Sequence, residues 1–196
     1  DVATTHDESG FPGSDPLTRG AQPAPRTDGQ WDIRSRVTHP DPAVANAQIL
    51  EDLANGATSV DLQLDLGGGS GISIRSPQDL ARVLDGVVLD AAPVSLRAGA
   101  HAAVVAGWYR ELLAERGVHG AEPSGCLGID PVGTLVTDGE VAMDALMAAG
   151  LDVANTPRLR TFRASGAPAS DAGASEAQEI GYMLSVALLY LRALID

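Results

Sequence analysis

The sequence predicts an α/β protein made of parallel (βα) units and preceded by an extended arm. Three observations carry that expectation. Strand-like and helix-like apolar patterns alternate four times after residue 42, as they do when helices cross over between parallel strands. Residues 1–42 hold six of the twelve prolines and show no apolar period, so this segment buries too little surface by itself to offset its ordering entropy. A length of 196 residues with 44% hydrophobic content supports one domain or a little more. The expected division is an arm and linker over 1–42 and a (βα) body over 43–196.

The elements follow in order. Asp41 is a helix cap with Pro42 at the first helical position, and Val44, Ala47, Ile49, Leu50 and Leu53 continue the helix to Asn55 and Gly56. Thr58 to Leu66 alternates Val60, Leu62, Leu64 and Leu66 as a strand, which the glycines at 67–69 end. Ser76 and Pro77 open a second helix through Leu80, Val83 and Leu84. Val94–Leu96 reads as a strand, Ala102–Leu113 as a helix closed by Arg116 and Gly117, and Cys126–Ile129 as a third strand. A helix from Gly139 to Ala149 stops at Gly150, and Leu159–Ala164 is the fourth strand. Ser175 and Gln178 form a capping box. It opens a last helix in which Ala177, Ile180, Leu184, Ala187, Leu188, Leu191 and Ile195 make one continuous face at helical spacing. Four units fit either half of an eight-fold barrel or a small doubly wound sheet.

Charge narrows the function. All 13 basic residues are Arg, against 26 Asp and Glu, for a net charge of −13. Such a surface repels phosphate backbones and anionic lipid, so neither nucleic acid nor membrane is an expected partner, and an anionic ligand needs a local arginine pocket. The apolar stretches at 102–105 and 183–191 fall short of the ~20 residues of a membrane span. Cys126 stands alone, so no internal disulfide forms. With no secretory pattern at the N-terminus, the expected location is the cytoplasm. A start at Asp1 and an end just after an apolar helical pattern suggest a piece of a longer chain.

The motifs are sparse. The glycine run after the first strand matches neither GxGxxG nor GxxxxGK[ST], and the chain has no Lys. His6, His39, His101 and His119 lie far apart, so no metal site is expected. Asp61 and Asp65 are either a carboxylate pair or loop and cap acceptors. Residues 170–175, between the fourth strand and its helix, either hold a ligand with backbone N–H groups or form a turn and a cap.

The run DAGASEAQEIGY over residues 171–182, followed by YLRAL over 190–194, resembles the cobalamin-dependent methylmalonyl-CoA mutase family, the small subunit most. LTRG at 17–20, WDIR at 31–34, Asp65-Leu66, Asp79-Leu80 through Gly86, Leu89-Asp90 and Val94-Ser95 agree in order. The resemblance implies a TIM-type barrel, of which this chain is the N-terminal arm and about half. It also implies adenosylcobalamin for the complex, though not bound by this segment, which has no DxHxxG. A heterodimer with the catalytic large subunit is implied too, with Arg19, Gly20, Trp31 and Arg34 at the interface. Residue by residue, Arg26 stands where catalytic members carry an arm Tyr, Gly128 where they carry a substrate-contacting Gln, and Pro168 where they carry a His that donates to the thioester carbonyl. The function so implied is a non-catalytic small subunit that supports interconversion of methylmalonyl-CoA and succinyl-CoA. The alternatives are a competent mutase for another acyl-CoA, with Arg26 or Arg97 holding a carboxylate, and an unrelated α/β binding domain.

Overall fold

The computed structural model describes residues 10–16, 18, 31–118, 123–139, 142–152 and 159–195. Contacts group residues 1–32 apart from Ile33–Asp196. In the first group Ser14 N–H donates to the Phe11 carbonyl at 3.1 Å, and Trp31 is 88% exposed.

The second group is a (βα) body. Strand β1 (Arg34–Val37) leads into helix α1 (Pro42–Ala54), where Asp41 caps the N–H groups of Ala43 and Val44. Strand β2 (Ser59–Asp65) is followed by the two-residue β3 (Ile72–Ser73) and by α2 (Pro77–Val83), capped by Ser76. Next come β4 (Val94–Arg97), a 3₁₀ turn at Gly99–His101, α3 (Ala102–Glu115), β5 (Gly125–Ile129), α4 (Pro131–Asp138) and α5 (Met143–Asp152). β6 (Leu159–Phe162), α6 (Ala167–Asp171) and α7 (Glu176–Ile195) complete the body.

The strands lie in the order β1-β2-β4-β5-β6, all parallel, with β3 on the end of β2. Spatial order follows chain order without the reversal that defines a doubly wound sheet. Repeated right-handed crossovers in one direction keep the helices on one face. This decides for the partial barrel; the sheet is not closed.

Register separates two faces. Val37, Val60, Leu62, Val94 and Leu96 share one face and are fully buried. They lie in one core with Ile49 of α1, Leu80 of α2 and Val105 and Tyr109 of α3. Each such aliphatic side chain contributes roughly 1.5–3 kcal/mol on burial. Arg34, Arg36, Ser59, Asp61, Gln63, Ser95 and Arg97 share the opposite face, toward the barrel interior. Both faces of β2 are therefore occupied.

Several sequence expectations need correcting. β1 falls inside the segment 1–42 read as arm, so the described sheet has five consecutive parallel strands in place of four. Its Arg-Ser-Arg-Val sequence hides it, because its inward positions are charged. The helix expected from Gly139 to Ala149 is α5, which starts at Met143; before it lies α4, absent from the sequence reading, which ends at Gly139 with φ 83°. Gly150 does not stop α5; it lies within the helix, where a Cβ would come within 2.4 Å of Phe162 Cζ.

The last helix starts as expected, with Ser175 N–H and Oγ both donating to Gln178 Oε1. Most of that continuous apolar face does not pack on the body, however. Ile180, Leu184, Leu188, Leu191 and Ile195 are exposed, whereas Val186 and Tyr190 are buried. α7 is apolar on more than one stripe, so its period does not reveal which stripe packs. By length and composition alone α7 could also cross a membrane, although Tyr190 and its neighbours pack it on the body.

Candidate functional site

At the C-terminal end of the strands lies a pocket of about 520 Å³, the end at which barrel proteins build their sites. Its floor comes from the charged interior face. Asp61, 4% exposed, accepts from Arg97 Nε at 2.7 Å and lies 3.5 Å from the NH1 of Arg163, just past β6. Both guanidiniums remain about a quarter exposed. Arg36 NH2 donates to Gln63 Oε1 at 2.6 Å.

Asp65 ends β2 and accepts from the N–H groups of Gly67, Gly68 and Gly69 at 2.9–3.1 Å. The Gly69 and Gly67 N–H groups hold its carboxyl below the usual carboxylate range. Burial opposes them, and the Gly68 N–H and the Arg75 charge add to the lowering. Asp61 and Asp65 are thus not a catalytic pair: one is an ion-pair partner and the other folds the glycine loop.

Asp130 ends β5 and caps α4. Its Oδ1 accepts from Gly133 N–H at 2.9 Å and from Tyr190 Oη at 2.5 Å, and its Oδ2 accepts from Ser165 N–H at 3.2 Å. Tyr190 Oη in turn accepts from Val132 N–H at 2.9 Å. Burial pushes the Tyr190 phenol up, and its hydrogen bond to Asp130 adds to that. The Tyr190 ring stacks on Phe162, with centroids 5.2 Å apart. This network ties α7 and the loop after β6 to β5.

Gly128 and Pro168 both line the pocket. Gly128 has φ 72°, and a Cβ there would lie 1.8 Å from the Leu96 carbonyl oxygen; the irregular register of β5 against β6 lies between Cys126 and Ile129. No side chain enters at 128 without moving the backbone. Pro168 is buried in the first turn of α6 and has no N–H to donate. Burial also raises the Cys126 thiol, against weaker lowering by the Gly128 backbone and by Arg163, Arg160 and Arg34, so it is a poor nucleophile.

Arg19, Gly20 and Arg26 lie outside the described residues. Trp31 is exposed, and Arg34 Nε donates to Ser59 Oγ at 3.1 Å. Residues 170–175 form the end of α6, a turn at Gly173 and the start of α7; they do not line the pocket. Among the described residues no three His, Cys, Asp or Glu side chains group to hold a metal ion. The chain has no DxHxxG from which to offer cobalt a histidine. Sequence reasoning missed Arg36, Gln63, Asp130 and Arg163, whose polar character within or beside strands is their only local signal.

Sequential parallel (βα) units around a pocket at their C-terminal ends define a partial TIM-type barrel. Residues 1–196 match the profile of the family described as Methylmalonyl-CoA mutase. The chain is 40% identical over 194 residues to a methylmalonyl-CoA mutase small subunit of Streptomyces virginiae, covering 96% of this chain and 30% of that protein. Identity is 27% over 192 residues to a probable small subunit of Mycobacterium tuberculosis (96% and 30% covered). It is 24% over 206 residues to a probable large subunit of the same species (93% and 28% covered). This chain belongs to the methylmalonyl-CoA mutase family, and it spans about 30% of the length of these relatives. The unrelated α/β domain is thereby excluded.

Proposed function

We propose that the chain is part of a non-catalytic small subunit, which pairs with a catalytic large subunit as a heterodimer in the cytoplasm and serves propionate metabolism. The large subunit, with adenosylcobalamin, interconverts methylmalonyl-CoA and succinyl-CoA; this chain contributes stability and assembly. Trp31, with Arg19, Gly20 and Arg34, belongs to the surface that meets the partner.

The observation that carries the reading is Gly128. The resemblance places a substrate-contacting Gln there, yet the Leu96 carbonyl occupies the space of a Cβ. Pro168, at the position of the thioester donor, lines the same pocket without a donor. Losing one preorganised donor costs about 10²–10³ in rate, and two such losses in one pocket leave little catalysis. Arg97, the carboxylate holder of the competent-mutase alternative, has its Nε engaged by Asp61.

The test is co-expression of the full-length protein with the large subunit. Higher soluble yield and melting temperature of the large chain are expected, with no turnover by the full-length protein alone in the presence of adenosylcobalamin. Turnover by that protein alone, or a large chain indifferent to its presence, would overturn the proposal.

A further inference from the structure

The chain has three asparagines, Asn46, Asn55 and Asn155, and only Asn55 precedes a glycine. Asn55 and Gly56 close α1, where the side chain lies open to attack by its own backbone. Asn55 is the C-cap, with φ −92° and ψ 9°, and is exposed. Among the described residues its carboxamide has no hydrogen-bond partner. Asn46 of the same helix is held instead. Its Nδ2 donates to the carbonyls of Val83 at 2.9 Å and Asp85 at 2.7 Å.

The amide that follows Asn55 is weakly held. Gly56 N–H donates to the Leu53 carbonyl at 3.3 Å, past the usual limit of about 3.2 Å. No described atom lies within 4 Å of a Cβ on Gly56, so no side chain from elsewhere in the fold shields the nitrogen. The shorter bond of this turn, from Ala57 N–H to the Asp52 carbonyl at 2.9 Å, belongs to the next peptide. One long hydrogen bond therefore restrains the peptide that has to turn toward Asn55 Cγ.

We propose that Asn55 is a site of spontaneous deamidation. The Gly56 nitrogen gives up its proton to hydroxide and bonds to Asn55 Cγ, and the carboxamide nitrogen leaves as ammonia. Water then opens the five-membered imide at either carbonyl, giving aspartate or isoaspartate, with no change of oxidation state. Both products put a carboxylate at the negative end of the α1 dipole, close in sequence to Glu51 and Asp52 and in a turn without a basic residue. Isoaspartate also lengthens the backbone by a methylene just before β2, whose Ser59 is registered against Arg34. The proposal does not depend on the assembly role.

The experiment holds the purified full-length protein at mildly alkaline pH, natively and in urea, and follows the peptides containing residues 46 and 55 by liquid chromatography and mass spectrometry. Native conversion at Asn55 is expected within about tenfold of the rate in urea, the scale of one hydrogen bond. It is expected to yield isoaspartate together with aspartate, with Asn46 unconverted in the native sample. Asn55→Gln, which leaves the backbone sequence at Gly56 intact, is expected to abolish conversion at this site. A native rate at Asn55 below that range, a product that is aspartate alone, or equal conversion at Asn46 overturns the proposal.

Discussion

Tyr190 donates a 2.5 Å hydrogen bond to Asp130 across 60 residues of sequence, and through it the last helix is fastened to the end of β5. The same carboxylate receives Ser165 N–H, so one side chain aligns three elements around the pocket. Tyr190→Phe keeps the stack on Phe162 and removes the hydroxyl, leaving Val132 N–H without its acceptor. A loss of about 1–2 kcal/mol is expected in urea unfolding. Tyr190→Ala, which also removes the ring, is expected to cost about 3–5 kcal/mol; equal effects of the two would contradict the role of the hydroxyl.

Gly128 and Gly117 both have positive φ, 72° and 71°, but only the first meets a carbonyl oxygen. Around Gly117 no described atom lies within 4 Å of a Cβ. Gly117→Ala is expected to cost about 1–2 kcal/mol, the left-handed penalty alone. Gly128→Ala is expected to exceed about 3 kcal/mol, the upper range of local backbone strain, because a backbone shift is added. Denaturant midpoints of the two variants test the contrast.

Asp61 is the buried anion of the interior. Asp61→Ala leaves Arg97 and Arg163 facing one another without a counter-charge. Breaking a fully buried pair costs about 3–5 kcal/mol; because both guanidiniums keep about a quarter of their surface in water, about 2 kcal/mol is expected. A melting temperature equal to that of the wild type would show that the cluster is not structural.

Asp65 makes stability depend on acidity. Its folded carboxyl lies below the ordinary value of 3.8, so the unfolded chain binds the proton first. The contribution is fully present above that value and is lost as the pH falls through the lower, folded one. Asp65→Asn, compared with wild type by thermal melts along an acid series, is expected to show a deficit at neutral pH that disappears at the acid end. A constant deficit would refute the assignment.

Helix starts were legible in the sequence because they are local. Asp41-Pro42 and Ser76-Pro77 fix cap and first turn within a few residues. The alternation of β2 was equally plain, since its lipophilic side faces the helices. β1 was hidden for the converse reason: Arg34 and Arg36 point into a polar interior, and only Val37 of the strand is buried. The packing side of α7 was not legible because the Phe162 stack and the Asp130 bond, which choose it, are long-range. The pocket shows the same division. Gly128 and Pro168 were reached only through family resemblance, and the approach of Arg163 to Asp61 spans 102 residues, beyond any local pattern.

The contact of Gly128 with the Leu96 carbonyl also bears on how this position changes over time. A codon change to any larger residue at this site would meet an occupied space, so no longer side chain is admitted until the neighbouring strand has first moved. Replacement therefore requires several concerted changes, and the position resists drift one substitution at a time.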